Sequence, residues 1–435
     1  MWFKKDIEMK LDRKNPPPYR QIEKINILQA KKEVLFNGIP VYTIHAGSQD
    51  IVKIDFLFHA GTWYQEKPLV ALFTNMMLHN GSKNYSAHQI AETLDFYGAQ
   101  MFVNADKHRA FLSLISLNRH LEKLLLLVED ILKTSLFSEK EFDILRNKEK
   151  QRFIIEQSKV STLARTKFNE VLFGTDHPYG RFAAEQDYNN LKTEQLKAFF
   201  QRLYNGSNCE IIIAGRIKTN TLSLLDKYFG QNDWVKKQKL ISAKNILKSD
   251  SEKKHIINKD GAVQSALRMG KIMVNKLHPD YLGLQVLNTV LGGYFGSRLM
   301  SNIREDKGYT YGIGSALMSL EKVGFFVIMS EVKAEVSKDT IKEIFFEFDK
   351  LRNELIPVEE LNLVKNFMLG EMLSSIDGSF ALAEAFKSIH FFGLGYDYFD
   401  TVVNEIKTIT PEKLNSLANK YLQQDSMYQV VAGKY

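Results

Sequence analysis

The chain repeats itself once, at half its length, and that repeat limits the folds open to it. Leu191-Lys192-Thr193-Glu194-Gln195-Leu196 leads into an apolar run that closes at Ala214-Gly215. Ile409-Thr410-Pro411-Glu412-Lys413-Leu414 leads, over the same distance, to Ala432-Gly433. The offset is 414 − 196 = 218 residues. A second pair agrees. Glu141-Phe142 with Leu145-Arg146-Asn147 matches Glu360-Leu361 with Val364-Lys365-Asn366 at 361 − 142 = 219. Such a period is far too long for a solenoid repeat and is that of a duplicated domain of roughly 200 residues. Both copies read as a Thr-capped helix followed by a strand ending in Ala-Gly.

Local signals inside each copy are mixed. Asn37-Gly38 between Val34-Leu35-Phe36 and Ile39-Pro40-Val41-Tyr42 predicts a hairpin. Ile54, Phe56 and Phe58 alternate with Asp55 and Leu57 as in a strand. Ser86 with Gln89 forms a capping box, and Ile90, Ala91, Leu94 and Tyr97 then share one helical face that Gly98 ends. Leu121, Leu124, Leu125, Val128, Ile131 and Leu132 make another helical stripe. The expected fold class is α+β: two homologous domains in tandem, each a mainly antiparallel sheet covered by helices. The domains are expected at 25–230 and 259–435. Residues 231–258 read as a linker, polar and charged through Lys236-Lys237-Gln238-Lys239 and Lys248 to Lys254. Residues 1–24, with Pro16-Pro17-Pro18, read as an extended leader.

Charge and cysteine usage exclude several classes. The excess of 58 Lys and Arg over 51 Asp and Glu is only +7, and no block of five basic residues occurs, so no nucleic-acid tail is indicated. No run of 18 apolar residues exists to span a membrane. The N-terminus stays charged through Arg20 without an apolar core, so no secretory signal is expected and the default compartment is the cytoplasm. Cys209 is the only cysteine, which excludes an internal disulfide and a cysteine-built zinc site. It lies in the apolar run Cys209-Glu210-Ile211-Ile212-Ile213 and reads as a small buried residue.

Three segments carry a resemblance. They are Gly61-Thr62-Trp63 with Leu69 through Met77-Leu78-His79-Asn80-Gly81-Ser82; Leu172-Phe173-Gly174-Thr175-Asp176-His177-Pro178-Tyr179-Gly180-Arg181; and Ser297-Arg298-Leu299 with Ile303-Arg304-Glu305-Asp306-Lys307-Gly308-Tyr309-Thr310-Tyr311-Gly312. In this order the chain resembles the insulinase-like (pitrilysin, mitochondrial-processing-peptidase) zinc metallopeptidases over about residues 25 to 433. In that family a helix here carries His-x-x-Glu-His. This chain has Leu72 and Met76 where the histidines would stand, and Asn75 where the catalytic Glu would stand. The third ligand, a Glu about 76 residues further on, falls at Arg152. Leucine has no donor, a thioether suits copper(I) better than zinc, and a guanidinium repels a divalent cation. An amide cannot act as a general base. Glu149, one turn from Arg152, is an alternative ligand but cannot hold a metal alone.

The ten histidines offer no replacement, since no two lie three, four or five apart. His88 and Glu92 read as a surface pair, and His177 as a turn residue. Gly292-Gly293-Tyr294-Phe295-Gly296-Ser297 lacks the ending of a phosphate loop and reads as a tight connection between helices. No metal and no cofactor are therefore expected in this chain.

Arg304 and Tyr311 survive. The resemblance implies that they contact a peptide substrate near the scissile bond, from across a chamber. The sequence suggests a short helix from Ser297 to Lys307, capped by Ser297 and ended by Gly308, then a strand with Tyr309 and Tyr311 on one face. Without the resemblance, Arg304 would pair with a nearby acid and Tyr311 would be a half-buried strand aromatic. The resemblance implies a non-catalytic, substrate-binding subunit of a two-chain peptidase, forming half of a closed chamber. Its partner would be a catalytic paralogue carrying His-x-x-Glu-His and the zinc, with a homodimer possible in isolation. The competing expectation is a peptide-binding or scaffold protein of the same fold without protease activity. Neither reading involves nucleic acid or a membrane.

Overall fold

The computed structural model describes residues 22, 25–235 and 246–435. The leader and the middle of the expected linker lie outside them. Within 231–258, residues Lys254–Asn258 form a paired strand rather than connecting chain.

The first half begins with strands β1 (Lys31–Val34), β2 (Pro40–His45) and β3 (Ile51–Phe58). Helices α1 (Val70–Met76) and α2 (Ala87–Phe96) follow, then β4 (Gln100–Ala105) and β5 (Ala110–Leu117). Next come α3 (Leu121–Thr134), α4 (Glu139–Gln157), α5 (Val160–Phe173), α6 (Glu185–Asn190) and α7 (Thr193–Leu203). Strand β6 (Cys209–Gly215) and α8 (Thr221–Phe229) complete it. The second half runs β7 (Lys254–Asn258), β8 (Gln264–Met273), α9 (Tyr281–Asn288), β9 (Thr310–Ser319), β10 (Gly324–Lys333) and α10 (Ser337–Asn353). It ends with α11 (Val358–Ser374), α12 (Ser379–His390), α13 (Asp397–Thr408), α14 (Pro411–Tyr421) and β11 (Tyr428–Gly433).

The sheets have the orders β1-β2-β6-β3-β5-β4 and β7-β11-β8-β10-β9. All neighbours are antiparallel except β2–β6 and β7–β11. Strands β6 and β11 therefore hold the same place in their sheets, between one parallel and one antiparallel neighbour. Both Ala-Gly closures end there at positive φ, 123° for Gly215 and 134° for Gly433. A Cβ at Gly215 would sit 2.4 Å from the Ile51 carbonyl oxygen, and one at Gly433 2.7 Å from that of Gln264. The repeat motif thus marks a strand end that has no room for a side chain.

One face of each sheet packs on helices of its own half, giving two separate cores. The other face is covered by a helix from the opposite half. Helix α5 lies on β8 and β11, with Phe168, Val171 and Leu172 against Ala266, Val327 and Val430. Helix α12 lies on β2 and β6, with Ala383 and Phe386 against Ile44, Ile212 and Ala214. These two helices start at Val160 and Ser379, so they are equivalent by the duplication. The halves exchange the same element. Double coverage explains why Ile211 to Ala214 is an unbroken apolar run, with Ile211 and Ile213 on one core and Ile212 and Ala214 on the other. Cys209 is buried in the first core.

The exchange also corrects the simple division into domains. Helix α5 belongs to the first half by sequence and covers the second sheet. Ile25 likewise packs into the second core, and the Ala30 amide donates to the Tyr396 hydroxyl at 2.7 Å.

Several local expectations are modified. The Asn37-Gly38 hairpin forms, with Val34 opposite Pro40 and Gly38 at φ 93°. The Ser86–Gln89 capping box forms, although Ala91 of its helix is exposed. In β3, Asp55 and Leu57 are buried along with Ile54, Phe56 and Phe58, because both faces are covered. Thr410 caps α14, its hydroxyl accepting from the Lys413 amide. Thr193 does not cap α7. It is the first helical residue, and its hydroxyl donates to Glu139, while the amide of Lys192 donates to the Gln195 side chain. Among the described residues no helix is long and apolar enough to cross a membrane.

Candidate functional site

Helix α1 packs against α7 and the edge strand β4. Phe73 anchors it, with ring contacts to Phe142 of α4 and Tyr188 of α6. Leu72 and Met76 are half-buried, one turn apart. Asn75 is fully buried. Its amide nitrogen donates to the Phe111 carbonyl and to the Tyr204 hydroxyl, both at 3.2 Å. Burial raises the pKa of that tyrosine well above its usual value, which keeps it neutral. Asn75 therefore serves the packing between α1, β5 and α7.

Arg152 lies on α4 with its side chain largely exposed, 3.9 Å from Glu149 on the same helix. Tyr188 lies between this pair and Phe73. Burial first, then the Glu149 charge, pushes its pKa up to about 12. The donor set does not fit zinc, because it provides an alkyl chain, an engaged amide, a thioether and a guanidinium. Among the described residues no group of three or more His, Cys, Asp or Glu is placed to hold a metal ion. His88 and Glu92 form an exposed pair at 3.7 Å.

Arg304 and Tyr311 are brought together. The Arg304 guanidinium lies 4.6 Å from the Phe295 ring centre and 5.7 Å from that of Tyr311. Arg304 makes no ion pair among the described residues, so it stacks on aromatic faces instead of pairing with an acid. Tyr311 is 91% exposed rather than half-buried. It sits at the start of β9, and Tyr309 lies just before that strand. The helix before it is a π-helical turn, Met300–Asp306, without a side-chain cap. The Ser297 hydroxyl makes no hydrogen bond, whereas Gly308 ends the turn at φ 65°. The preceding glycines close another π-helical turn, Thr289–Gly293.

Tyr311 lines a groove of about 470 Å³ between the second sheet and α5, with Arg268, Gln264, Ser330 and Glu331. Ser161 of α5 closes its other wall. No hydrogen bond, ion pair or ring contact among the described residues joins Arg304 or Tyr311 to α1.

The Leu172-to-Arg181 motif forms the joint between the halves. His177 is buried, and its Nδ1 accepts from the Tyr179 amide at 3.2 Å. The Tyr179 hydroxyl lies 2.7 Å from His108 Nε2 and accepts from the Lys322 amide across the joint at 3.3 Å. Trp63 packs on His108, His177 and Tyr179. Arg109 pairs with Glu321 and stacks on Phe391 of the second half. Gly180 is required because a Cβ there would lie 2.3 Å from the Gly174 carbonyl oxygen.

Charged residues to which the sequence reading gives no role as partners also span the halves. Lys387 of α12 lies 2.9 Å from Asp55 and 2.7 Å from Glu384, and Lys53 lies 2.8 Å from Glu384. His390 lies 2.6 Å from Glu210, with His59 at 3.9 Å on its other side. Glu384 and Lys387 are neighbours on one helix, but the pairs that cross the halves join residues far apart in sequence with no spacing signal.

Two like α+β halves, the first with a helix whose residues at the metal positions do not fit zinc, give the plan of a two-domain metallopeptidase homologue. Comparison with known proteins gives the family. Residues 40–172 match the model for Insulinase (Peptidase family M16), and residues 190–368 match that for the Peptidase M16 inactive domain. The chain belongs to the insulinase family. It is 23% identical over 400 residues to the Bacillus subtilis "Uncharacterized zinc protease YmxG", covering 91% of this chain and 96% of that one. It is 21% identical over 375 residues to the Helicobacter pylori "Non-peptidase homolog YmxG", covering 84% of each. A crystal structure of a peptidase M16 inactive domain from Pseudomonas fluorescens superposes with a TM-score of 0.84 at 24% identity. The match covers 94% of this chain and 99% of that one.

Proposed function

We propose that this chain is the non-catalytic, substrate-binding subunit of a two-chain insulinase-like peptidase and supplies half of a closed peptide chamber. Tyr311 carries the reading. It is an aromatic residue held almost fully exposed beside a stacked arginine, at the rim of a groove, where it adds little to the core. A hydroxyl donor and a guanidinium fork suit a peptide carbonyl or its oxyanion. The open edge of β4 adds support. Phe102 there is 53% exposed, and an extended peptide can continue a sheet at such an edge. The zinc and the base would come from a catalytic paralogue carrying His-x-x-Glu-His.

The test is co-expression with such a paralogue, from an adjacent reading frame where there is one. A one-to-one complex in size exclusion with light scattering is expected, with zinc held only by the paralogue. Two chains that stay apart at micromolar concentration would refute the pairing. Peptide binding by the unpaired chain would then favour a peptide-binding scaffold of the same fold.

A further inference from the structure

Two arginines belong to the crossing of α5 and the second sheet, two further cations lie within reach of their charges, and none of the four has a carboxylate partner at ion-pair distance among the described residues. Arg268 projects from β8 and lines the groove beside Tyr311. Arg165 stands on α5 four residues after Ser161, which lines the same groove, so it lies on that helix face and is exposed. Lys107 follows the edge strand β4. Its Nζ donates to the Pro178 carbonyl at 3.1 Å, and its own carbonyl accepts from the Trp63 amide at 2.7 Å. Arg181 donates to the carbonyls of Gln65 and Glu66, and its buried Nε has no partner.

The nearest acids are engaged or outnumbered. The Asp106 carboxylate accepts the amides of His108 and Arg109, each at 2.7 Å. Among the described residues that line the groove, Glu331 is the one acid. Burial, then the charges of Arg181 and Arg165, lowers Lys107 to about 8 against the opposing effect of Asp106. Burial, then Arg165, also lowers Arg268 against Glu331. Cations without carboxylate partners leave the groove and its surroundings positive, and an anion would be favoured there.

We propose that this groove is a carboxylate-recognising subsite of the peptide path, in which Arg165 and Arg268 bind an acidic side chain or a chain-terminal carboxylate of the substrate. Arginine forks bind carboxylates in a two-point geometry that a single ammonium cannot match. Lys107 and Arg181 extend the positive potential from the groove toward the β4 edge. The proposal rests on the peptide-binding reading and sharpens it to peptides bearing a carboxylate.

Three dye-labelled octapeptides, added to the full-length chain and followed by fluorescence anisotropy, test it. One has a central Glu and an amidated end, one a central Gln and a free carboxylate, and one a central Gln and an amidated end. At least one of the first two should bind about tenfold more tightly than the third, a difference of about 1.4 kcal/mol, and which one does so identifies the carboxylate. Arg165→Gln and Arg268→Gln should each bring that ratio toward one. Arg165 is exposed, so its variant keeps the test valid if the Arg268 variant misfolds. Equal binding of all three peptides would overturn the subsite and leave the peptide-binding reading standing. An unchanged ratio in folded variants would overturn the assignment of the two arginines. No binding of any peptide up to about 1 mM, where even weak recognition registers, would overturn both readings.

Discussion

Replacing Lys387 by Met tests whether the exchanged helix α12 is locked onto the first sheet by charge as well as by packing. Lys387→Met keeps the chain length and apolar stem and deletes the ammonium. That ammonium lies 2.9 Å from Asp55, which is 1% exposed and accepts no directed hydrogen bond. The ion pairs alone compensate its burial. Lys53, Asp55, Glu384 and Lys387 form a neutral quartet of two cations and two anions. The substitution leaves one buried negative charge in excess, with only Lys53 at 3.5 Å to offset it. Breaking a buried pair from one side costs about 3–5 kcal/mol. The remaining lysine places this case near the lower end, at about 3 kcal/mol. Removing both partners, as in Asp55→Val with Lys387→Met, leaves Lys53 and Glu384 as a neutral pair and should recover more than half of the loss. The assay is urea unfolding at pH 7, followed by far-UV circular dichroism, for both single variants and the double variant. A Lys387→Met loss below about 1 kcal/mol, the range of an exposed pair, would refute the reasoning. A double variant less stable than Lys387→Met would refute it as well.

The joint between the halves should weaken on acidification. Burial, then the neighbouring charges of Arg109, Lys322 and His59, lowers His108 to about 4 against Asp106. The folded chain thus binds fewer protons than the unfolded chain between pH 6.5 and about 4, so stability falls as pH falls through that window. The shift corresponds to about 3 kcal/mol. Urea midpoints against pH should show a shallower slope in His108→Gln than in the wild type, and parallel slopes would refute the assignment. Tyr311→Phe should lower kcat/KM of the reconstituted pair about a hundredfold, or about 3 kcal/mol, without changing zinc content or complex mass. Wild-type turnover would return Tyr311 to an ordinary surface side chain.

Parts of the site were legible because they depend on local residue chemistry. The absence of donors at Leu72, Asn75, Met76 and Arg152 can be read from the residues alone, once the resemblance supplies their positions. The choice of Arg304 and Tyr311 came from the resemblance, not from the residues by themselves. Their surroundings were not legible. Arg304 stacks between Phe295 and Tyr311 because no acid from another element reaches it, and only the fold decides that. Ser297 does stand at the helix start, its carbonyl accepting from the Ser301 amide at 2.9 Å, but its hydroxyl makes no capping hydrogen bond.

The sequence by itself determined that the chain is two copies of one α+β unit. It also marked the strand ends at Gly215 and Gly433, where backbone sterics act over a few residues. Periodicity identified the helical stripe from Leu121 to Leu132, since burial on one face repeats at the helical period. The tertiary structure alone decided that α5 and α12 cross over to cover each other's sheets. A helix stripe records that it is buried, not which of two nearly identical sheets buries it. For the same reason Asp55, Glu210, Lys387 and His390 meet without any sequence signal. The docking of α5 on β8, elements some hundred residues apart, is set the same way, because a contact across the exchange depends on where whole helices dock and not on spacing along the chain.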